Sequence, residues 1–295
     1  MGSKQQARVA LVTATAALGT DEDLQPLLDA LDQRSITASA PCWDDPEVAW
    51  DAFDLAVLRS TWDYVPRYEE FLRWLDATEQ RVRILNPSRV IRWSTNKRYL
   101  ADLAERGVPV VPTEFFEPGG PPPQLSDHAD ELVVKPVISA GSKDTARHSD
   151  ARAAEQHAID LLATGRAAMV QPYQRGIDSY GETGLVYFDG EVSHAFRKAP
   201  ILALDAPPTA EFFAPEEITA REPTSDERRI GDATIAACEP DLLYGRVDLV
   251  PGPDGLPLVL EVELAEPSFF LASAPGSADR FAAAVAGRLG AGQLG

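Results

Sequence analysis

Residues 245–267 read GRVDLVPGPDGLPLVLEVELAEP, and this stretch decides the fold. Two segments of period two, GRVDLV and VLEVEL, flank the Pro- and Gly-rich PGPDG, the pattern of a β-hairpin. In the first segment Val247 and Leu249 face one way while Arg246 and Asp248 face the other. In the second, Leu260, Val262 and Leu264 alternate with Glu261 and Glu263, whose Cα atoms would lie roughly 7 Å apart. If the strands pair, Asp248, Glu261 and Glu263 share a face. Three converging carboxylates repel and raise one another's pKa unless a cation lies among them. All-oxygen donors without His or Cys suit a hard ion, Mg²⁺ or Mn²⁺. The same residues alone are also compatible with a solvated acidic face on an edge hairpin.

Upstream, ELVVKPV places Lys135 inside an apolar strand, where an ammonium is costly unless an anion neutralises it. A lysine snorkelling from a strand end would look the same. The loop that follows contains Ser139, Ala140, Gly141 and Ser142, residues small enough to let backbone amides approach a phosphate. Such a loop is equally an ordinary turn, and no GxxxxGK[ST] phosphate loop occurs in the chain.

The bulk composition narrows the classes. The 295 residues are 44% hydrophobic and 25% charged, with a formal net charge of −19. That field repels nucleic acid and anionic membranes, so neither is expected as a partner. No apolar run approaches the roughly 18 residues of a membrane span. The N-terminal MGSKQQARVALV has neither a signal-peptide core nor a myristoylation pattern, so a cytoplasmic setting is expected. Two cysteines, Cys42 and Cys238, exclude a disulfide scaffold or a Cys-rich zinc site. His128, His148, His157 and His194 lack metal-ligand spacing and read as solvated or structural. No DxDxDG calcium loop is present.

Along the chain, ARVALVT, SITASA and DLAVLRS read as strands alternating with helices such as DEDLQPLLDALDQR and VPRYEEFLRWLDA. That alternation predicts a parallel α/β layer over residues 1–85. STNKRYLADLAERG predicts a capped helix closed by Gly107, and EPGGPPPQLS a loop. A small β/α unit follows, with strands ELVVKPV and AAMVQPY around the helix DARAAEQHAIDLLATG. Strands at TGLVYF, EVSHAF, LLYGRVDLV and PLVLEVEL come next, with helices near Ser225–Cys238 and Ser277–Leu289. The fold class expected is α/β and α+β in three lobes: residues 1–94, 95–171 and 172–295.

The order of lysine helix, strand lysine, small-residue loop, hinge strand and Asp…Glu-x-Glu resembles the ATP-grasp superfamily from about Ser94 onward. By position, the resemblance makes Lys97 and Lys135 the grips on the α- and β-phosphates of ATP. Ser139, Ala140, Gly141 and Ser142 become the loop closing over them. The hinge is then MVQPY, with Gln171 and Tyr173 near the adenine, and Glu182 is an acidic residue near the nucleotide. Asp248, Glu261 and Glu263 would hold two Mg²⁺ ions, with Glu261 bridging and Mn²⁺ an alternative. The resemblance extends more distantly to glutathione synthetase, whose type usually has Asn at the position of Glu263. That type also has an Arg where Gly184 aligns, so the cationic contact is expected from Arg197, Lys198 or Arg246.

The implied chemistry is an ADP-forming C–N ligation: ATP phosphorylates a carboxylate, and a nitrogen displaces phosphate from the acyl phosphate. The lid is expected over Pro112 to Gln171. In the N-terminal lobe, VLRSTWDY ends a strand at the edge where open α/β sheets bind ligands. Arg59, Ser60, Thr61, Trp62 and Asp63 are therefore expected around a small amino-acid-like substrate, although Trp62 and Tyr64 would serve equally as inter-lobe packing. RSTWDY, RWSTNKRYL and LEVELAEPSFFL together resemble the D-cycloserine ligase branch, implying ring closure within O-ureido-D-serine. The rivals are a ligase joining two separate molecules and a nucleotide-binding protein without ligase activity. A homodimer stays open. Because the carboxylates are read as mutually repelling, Glu261→Gln is expected to leave the fold intact and even to stabilise the metal-free protein.

Overall fold

The computed structural model describes residues 6–126, 131–208 and 216–291. Its first layer is a parallel sheet of order β2-β1-β3-β4: β1 (Arg8–Thr13), β2 (Thr37–Ser39), β3 (Leu55–Ser60) and β4 (Ile84–Leu85). The central strands are continuous apolar runs because both of their faces are covered. On one face, helix α1 (Leu24–Gln33) packs Leu27 and Leu31 with Val9, Leu11 and Val57. On the other, α2 (Tyr68–Glu79) brings Phe71 and Leu75 to Ala10, Val12 and Leu58, beside Trp43 and Trp50.

The helix expected from Ser94 to Gly107 is α4 (Tyr99–Glu105), and a separate helix, α3 (Ser88–Ser94), precedes it, with Lys97 in the turn between them. The Lys97 amide donates to the Val137 carbonyl at 3.0 Å, which ties this turn to the next layer. That layer is an antiparallel sheet of order β5-β8-β6-β7: β5 (Glu114–Phe116), β6 (Leu132–Pro136), β7 (Ala146–His148) and β8 (Ala168–Pro172). Helix α5 (Ala151–Ala163) buries Ala154, Ala158 and Leu161 against Leu132, Val134 and Val170. β8 runs one residue past the division expected at 171.

After the short helix α6 (Ile177–Tyr180) comes the third sheet, order β11-β10-β9-β12-β13. Its strands are β9 (Glu182–Phe188), β10 (Glu191–Lys198), β11 (Ile218–Ala220), β12 (Tyr244–Pro251) and β13 (Pro257–Glu263), all antiparallel. Asp189 (φ 52°) and Gly190 (φ 83°) form the two-residue turn between β9 and β10, the backbone a tight hairpin requires. Helix α7 (Ser225–Ala237) starts with a capping box, Glu227 and Thr224 each satisfying the other's backbone N–H. Helix α8 (Ser277–Ala291) returns to the first layer, with Phe281 and Val285 sharing a core with α1 and with Phe188 of β9.

In the hairpin, Arg246 pairs with Glu263 and Asp248 with Glu261, but the register then shifts so that Leu249 opposes Val259. Leu260 is the extra residue of this bulge. It does not share the core face of Val262, as the alternation implied; fully buried Val259 takes that place and Leu260 lines the central cleft. Asn86 locks the first sheet to the third. Its Nδ2 donates to the Tyr244 and Leu264 carbonyls at 2.9 and 2.8 Å, and its Oδ1 accepts from Leu243 N at 2.8 Å.

Cys42 and Cys238 are free thiols. His194 Nε2 lies 2.7 Å from the Phe269 carbonyl oxygen, and His148 Nε2 lies 3.0 Å from His157 Nδ1. His128 falls outside the described residues. No described helix is long and apolar enough to cross a membrane.

Candidate active site

The three layers converge on one cleft. From the second layer come Lys135, Ser139, Ala140, Gly141, Ser142 and Gln171, followed by Tyr173; from the third come Glu182, Lys198, Arg246, Asp248, Glu261 and Glu263; Lys97 enters from the α3–α4 turn. The chain therefore brings together residues far apart in sequence, Lys97 and Glu263 being separated by 166 positions.

Glu261 is the electrostatic centre. One carboxylate oxygen lies 2.8 Å from Lys97 Nζ and the other 3.9 Å from Lys135 Nζ. Burial alone would favour its neutral form, but Lys97 and Lys135 outweigh that and hold it well below the usual glutamate range. Lys97 Nζ also donates to the Ser139 carbonyl at 2.9 Å, fixing the start of the small-residue loop. Gly141 and Ser142 in that loop both have positive φ, 62° and 59°. Burial pushes the Lys135 ammonium down, against the attraction of Glu261.

Arg246 places a guanidinium among the carboxylates, where the sequence pattern led to the expectation of a divalent ion. Its Nη2 lies 2.9 Å from Asp248 Oδ2 and also pairs with Glu263, while Nη1 donates to the Ser268 carbonyl at 3.0 Å. Burial, opposed by Arg246 and reinforced by Asp248 and Glu261, pushes the Glu263 carboxyl up. Lys198 lies 3.0 Å from Glu216 and 3.6 Å from Glu182. Burial disfavours its charge, but these two carboxylates outweigh burial and keep the ammonium charged.

Of the three basic residues considered in place of an Arg at position 184, Lys198 and Arg246 line the cleft. Arg197 does not; its Nε donates to the Tyr180 carbonyl at 2.9 Å. No larger side chain fits at Gly184, because a Cβ there would lie 2.1 Å from the Phe196 ring. That ring packs on Phe270 at 4.6 Å between centroids. At the hinge, Gln171 Nε2 donates to Thr113 Oγ1 at 2.9 Å, and Tyr173 N donates to the Glu131 carbonyl at 2.9 Å.

The RSTWDY segment behaves differently from its expected role. Only Trp62 of the five expected residues lines the cleft, joined by Tyr64. Arg59 is fully buried, donates to the Pro267 carbonyl at 2.8 Å and lies over the Phe269 ring at 4.0 Å. Ser60 Oγ lies 2.8 Å from Thr13 Oγ1, Thr61 is fully buried, and Asp63 accepts from Trp43 Nε1 at 2.8 Å. These residues shape a support. With Asp23, whose carboxylate accepts from the amides of Phe269, Phe270 and Leu271 at 2.7–3.0 Å, Arg59 and Trp62 hold the segment after β13 in place. That segment adds Glu266, Ser268 and Phe270 to the cleft, residues the motif reading passed over although Glu266 is the third glutamate of LEVELAEP.

The donor set suits a hard divalent ion only in part. Among the described residues no three carboxylate, histidine or cysteine groups gather closely enough to hold a metal alone. Mg²⁺ is commonly bound by one or two carboxylates, with phosphate and water completing its shell. Glu261, Glu263 and Asp248 line the cleft for that partial role, each already in contact with a cation of the protein, Glu261 with Lys97 and the other two with Arg246.

Residues 9–86 match the family model of the D-cycloserine synthetase DcsG N-terminal domain. Over nearly its whole length the chain is similar to the cycloserine biosynthesis protein DcsG of Streptomyces lavendulae: 40% identity over 299 residues, covering 95% of this chain and 98% of that protein. The crystal structure of D-cycloserine synthetase DcsG superposes with a TM-score of 0.87 and 39% identity, covering 96% of this chain and 100% of that one. A D-alanine–D-alanine ligase from Bacillus anthracis complexed with ATP superposes with a TM-score of 0.67 at 15% identity, covering 97% and 98%. The ATP-grasp fold is thus shared with a more distant ligase as well.

Proposed function

This chain belongs to the family of the D-cycloserine synthetase DcsG, and from that premise we propose that it is an ATP-dependent ligase closing O-ureido-D-serine to D-cycloserine. The observation that carries the reading is Glu261 held between Lys97 and Lys135, with Glu263 beside it on the same strand face of the cleft. Two ammonium groups beside one carboxylate make a site for phosphate oxygens and a divalent cation together. Glu261 and Glu263 would hold two Mg²⁺ ions, with Mn²⁺ as a substitute, and the ions would neutralise charge on the phosphates.

The protein's part is positioning. Lys97 and Lys135 bind the nucleotide phosphates, and the Ser139–Ser142 loop covers them and excludes water. Lys198 and Arg246 supply positive charge beside the transferring phosphoryl group. The substrate carboxylate takes the γ-phosphoryl group and ADP forms. The ureido nitrogen bonded to oxygen attacks the acyl carbon, phosphate leaves with the bonding pair, and that nitrogen loses its proton. Water then removes the carbamoyl group as carbon dioxide and ammonia. Nucleophile and electrophile share one molecule, so the site need only fold the substrate and keep water out. A cytoplasmic enzyme with a small-molecule substrate, as monomer or homodimer, completes the reading.

The test is to incubate the protein with Mg²⁺, ATP and O-ureido-D-serine, with no added amine, and to record ADP and product mass. ADP with a cyclic product is expected. ADP release only when a separate amine is supplied would replace ring closure with a two-molecule ligation.

A further inference from the structure

We infer that Glu266 is the counter-ion for the α-ammonium group of the substrate, a role that rests on the amino-acid ligase reading above. The cleft's other carboxylates each contact a cation of the protein. Glu261 has Lys97 and Lys135, Asp248 and Glu263 have Arg246, and Glu182 and Glu216 have Lys198. Glu266 lines the same cleft, and among the described residues no cation lies within ion-pair distance of it; Lys97 and Arg246 attract it from farther away, and the phenol beside it, that of Tyr64, is 2% exposed. A carboxylate facing a cleft with one neutral donor has room and charge for an incoming ammonium.

The surroundings suit that ligand. Phe270, four positions after Glu266, and Trp62, whose indole N–H reaches the Glu266 carbonyl, both line the cleft, and aromatic faces attract cations. The carboxylate's backbone is anchored, because Trp62 Nε1 donates to the Glu266 carbonyl at 3.0 Å and Arg59 to the next carbonyl, that of Pro267, at 2.8 Å. The spacing is also right. Glu266 lies three positions after Glu263, so their Cα atoms are at most about 11 Å apart. A substrate carboxylate near Glu263 would thus place its neighbouring ammonium within reach of Glu266.

The experiment begins with the wild-type protein and O-ureido-D-serine, since absence of Mg²⁺- and ATP-dependent turnover there would remove the ligase reading itself. Given turnover, Glu266→Gln is expected to raise KM for the substrate by roughly 10- to 100-fold, the effect of a lost charge-assisted hydrogen bond. Its calorimetric affinity for Mg²⁺–ADP should match the wild type. The analogue lacking the α-amino group should lose a similar factor on the wild type and lose little further on the variant. An unchanged KM in Glu266→Gln overturns the inference. So does a fall in kcat of equal size on both compounds, which would mean that Glu266 moves a proton instead. Should the variant not fold, the wild type decides alone: equal kcat/KM for substrate and des-amino analogue overturns the inference, and a 10-fold or greater preference for the substrate supports it.

Discussion

Lys97 and Glu261, 164 residues apart, meet with 2.8 Å between ammonium nitrogen and carboxylate oxygen in a cleft where both are largely withdrawn from solvent. The contact reverses the expectation that Glu261→Gln would relieve repulsion. Gln leaves Lys97 and Lys135 facing a neutral amide in a buried setting, so the variant should lose about 1–3 kcal/mol of stability as well as its turnover. Chemical denaturation without nucleotide or Mg²⁺ measures this. The sign with pH follows from the depressed Glu261 pKa. Its stabilising share is present above the ordinary glutamate value near 4.5 and is lost as pH falls below it. Glu261→Gln should therefore unfold with a flatter acid limb than the wild type.

Lys97→Ala and Lys135→Ala should each weaken nucleotide binding by roughly 1.5–3 kcal/mol, because each removes a charged donor beside phosphate. Lys97→Ala carries an added cost, since the Ser139 carbonyl loses its partner at the start of the loop. Calorimetry with Mg²⁺–ADP checks both. Full affinity in both variants would show that the phosphates lie elsewhere.

Arg246→Ala removes the guanidinium from Asp248 and Glu263 and leaves two carboxylates without it in the cleft wall. A buried pair broken on one side costs about 3–5 kcal/mol. A divalent cation could then take the vacated place, so Mg²⁺ should raise the Tm of Arg246→Ala more than it raises that of the wild type. Equal shifts would separate the Mg²⁺ site from these carboxylates.

The paired imidazoles of β7 and α5 make a pH prediction. Burial lowers the pKa of His148, where Asp205 opposes it; burial and then His148 lower that of His157, where Asp160 and Asp144 oppose them. Both thus take up protons less readily in the fold than in the unfolded chain, which binds them near the ordinary value of 6.5. Stability from the pair is present above that value and falls as pH drops below it. His148→Gln together with His157→Gln should flatten the loss between pH 6.5 and 5, measured by thermal melting.

Much of this site was legible because its signals are local. Period two in GRVDLV and VLEVEL is a property of the strand backbone, so Asp248, Glu261 and Glu263 could be placed on one face from spacing alone. A lysine within VVKP announces an anion for the same reason. The bulge at Leu260 left no trace, since one extra residue in a run of apolar side chains does not disturb the pattern that was read. The fate of RSTWDY was hidden for a different reason. A strand end exposed in an isolated sheet is covered here by a segment some 200 residues later in the chain, and only the folded chain shows that contact.

Arg59 is the sharpest case of that difference, and it can be tested. A guanidinium that binds substrate would, when replaced, raise KM in a protein of normal stability. Arg59 instead has no exposed surface, holds the Pro267 carbonyl, lies 3.6 and 3.7 Å from Asp21 and Asp23, and covers the Phe269 ring. Replacing it with Met keeps the length and apolar stem but takes the cation away from Asp21 and Asp23, leaving Asp23 its three backbone amides, and strands the Pro267 carbonyl, a loss of about 3–5 kcal/mol. Arg59→Met should therefore lower the denaturation midpoint strongly. In the folded fraction, substrate KM should rise because the backbone bearing Glu266 has lost an anchor, while Mg²⁺–ADP affinity should hold. Normal stability with raised KM would return Arg59 to the substrate; lost stability with KM unchanged would show that the segment keeps its place on Asp23 and Trp62 alone.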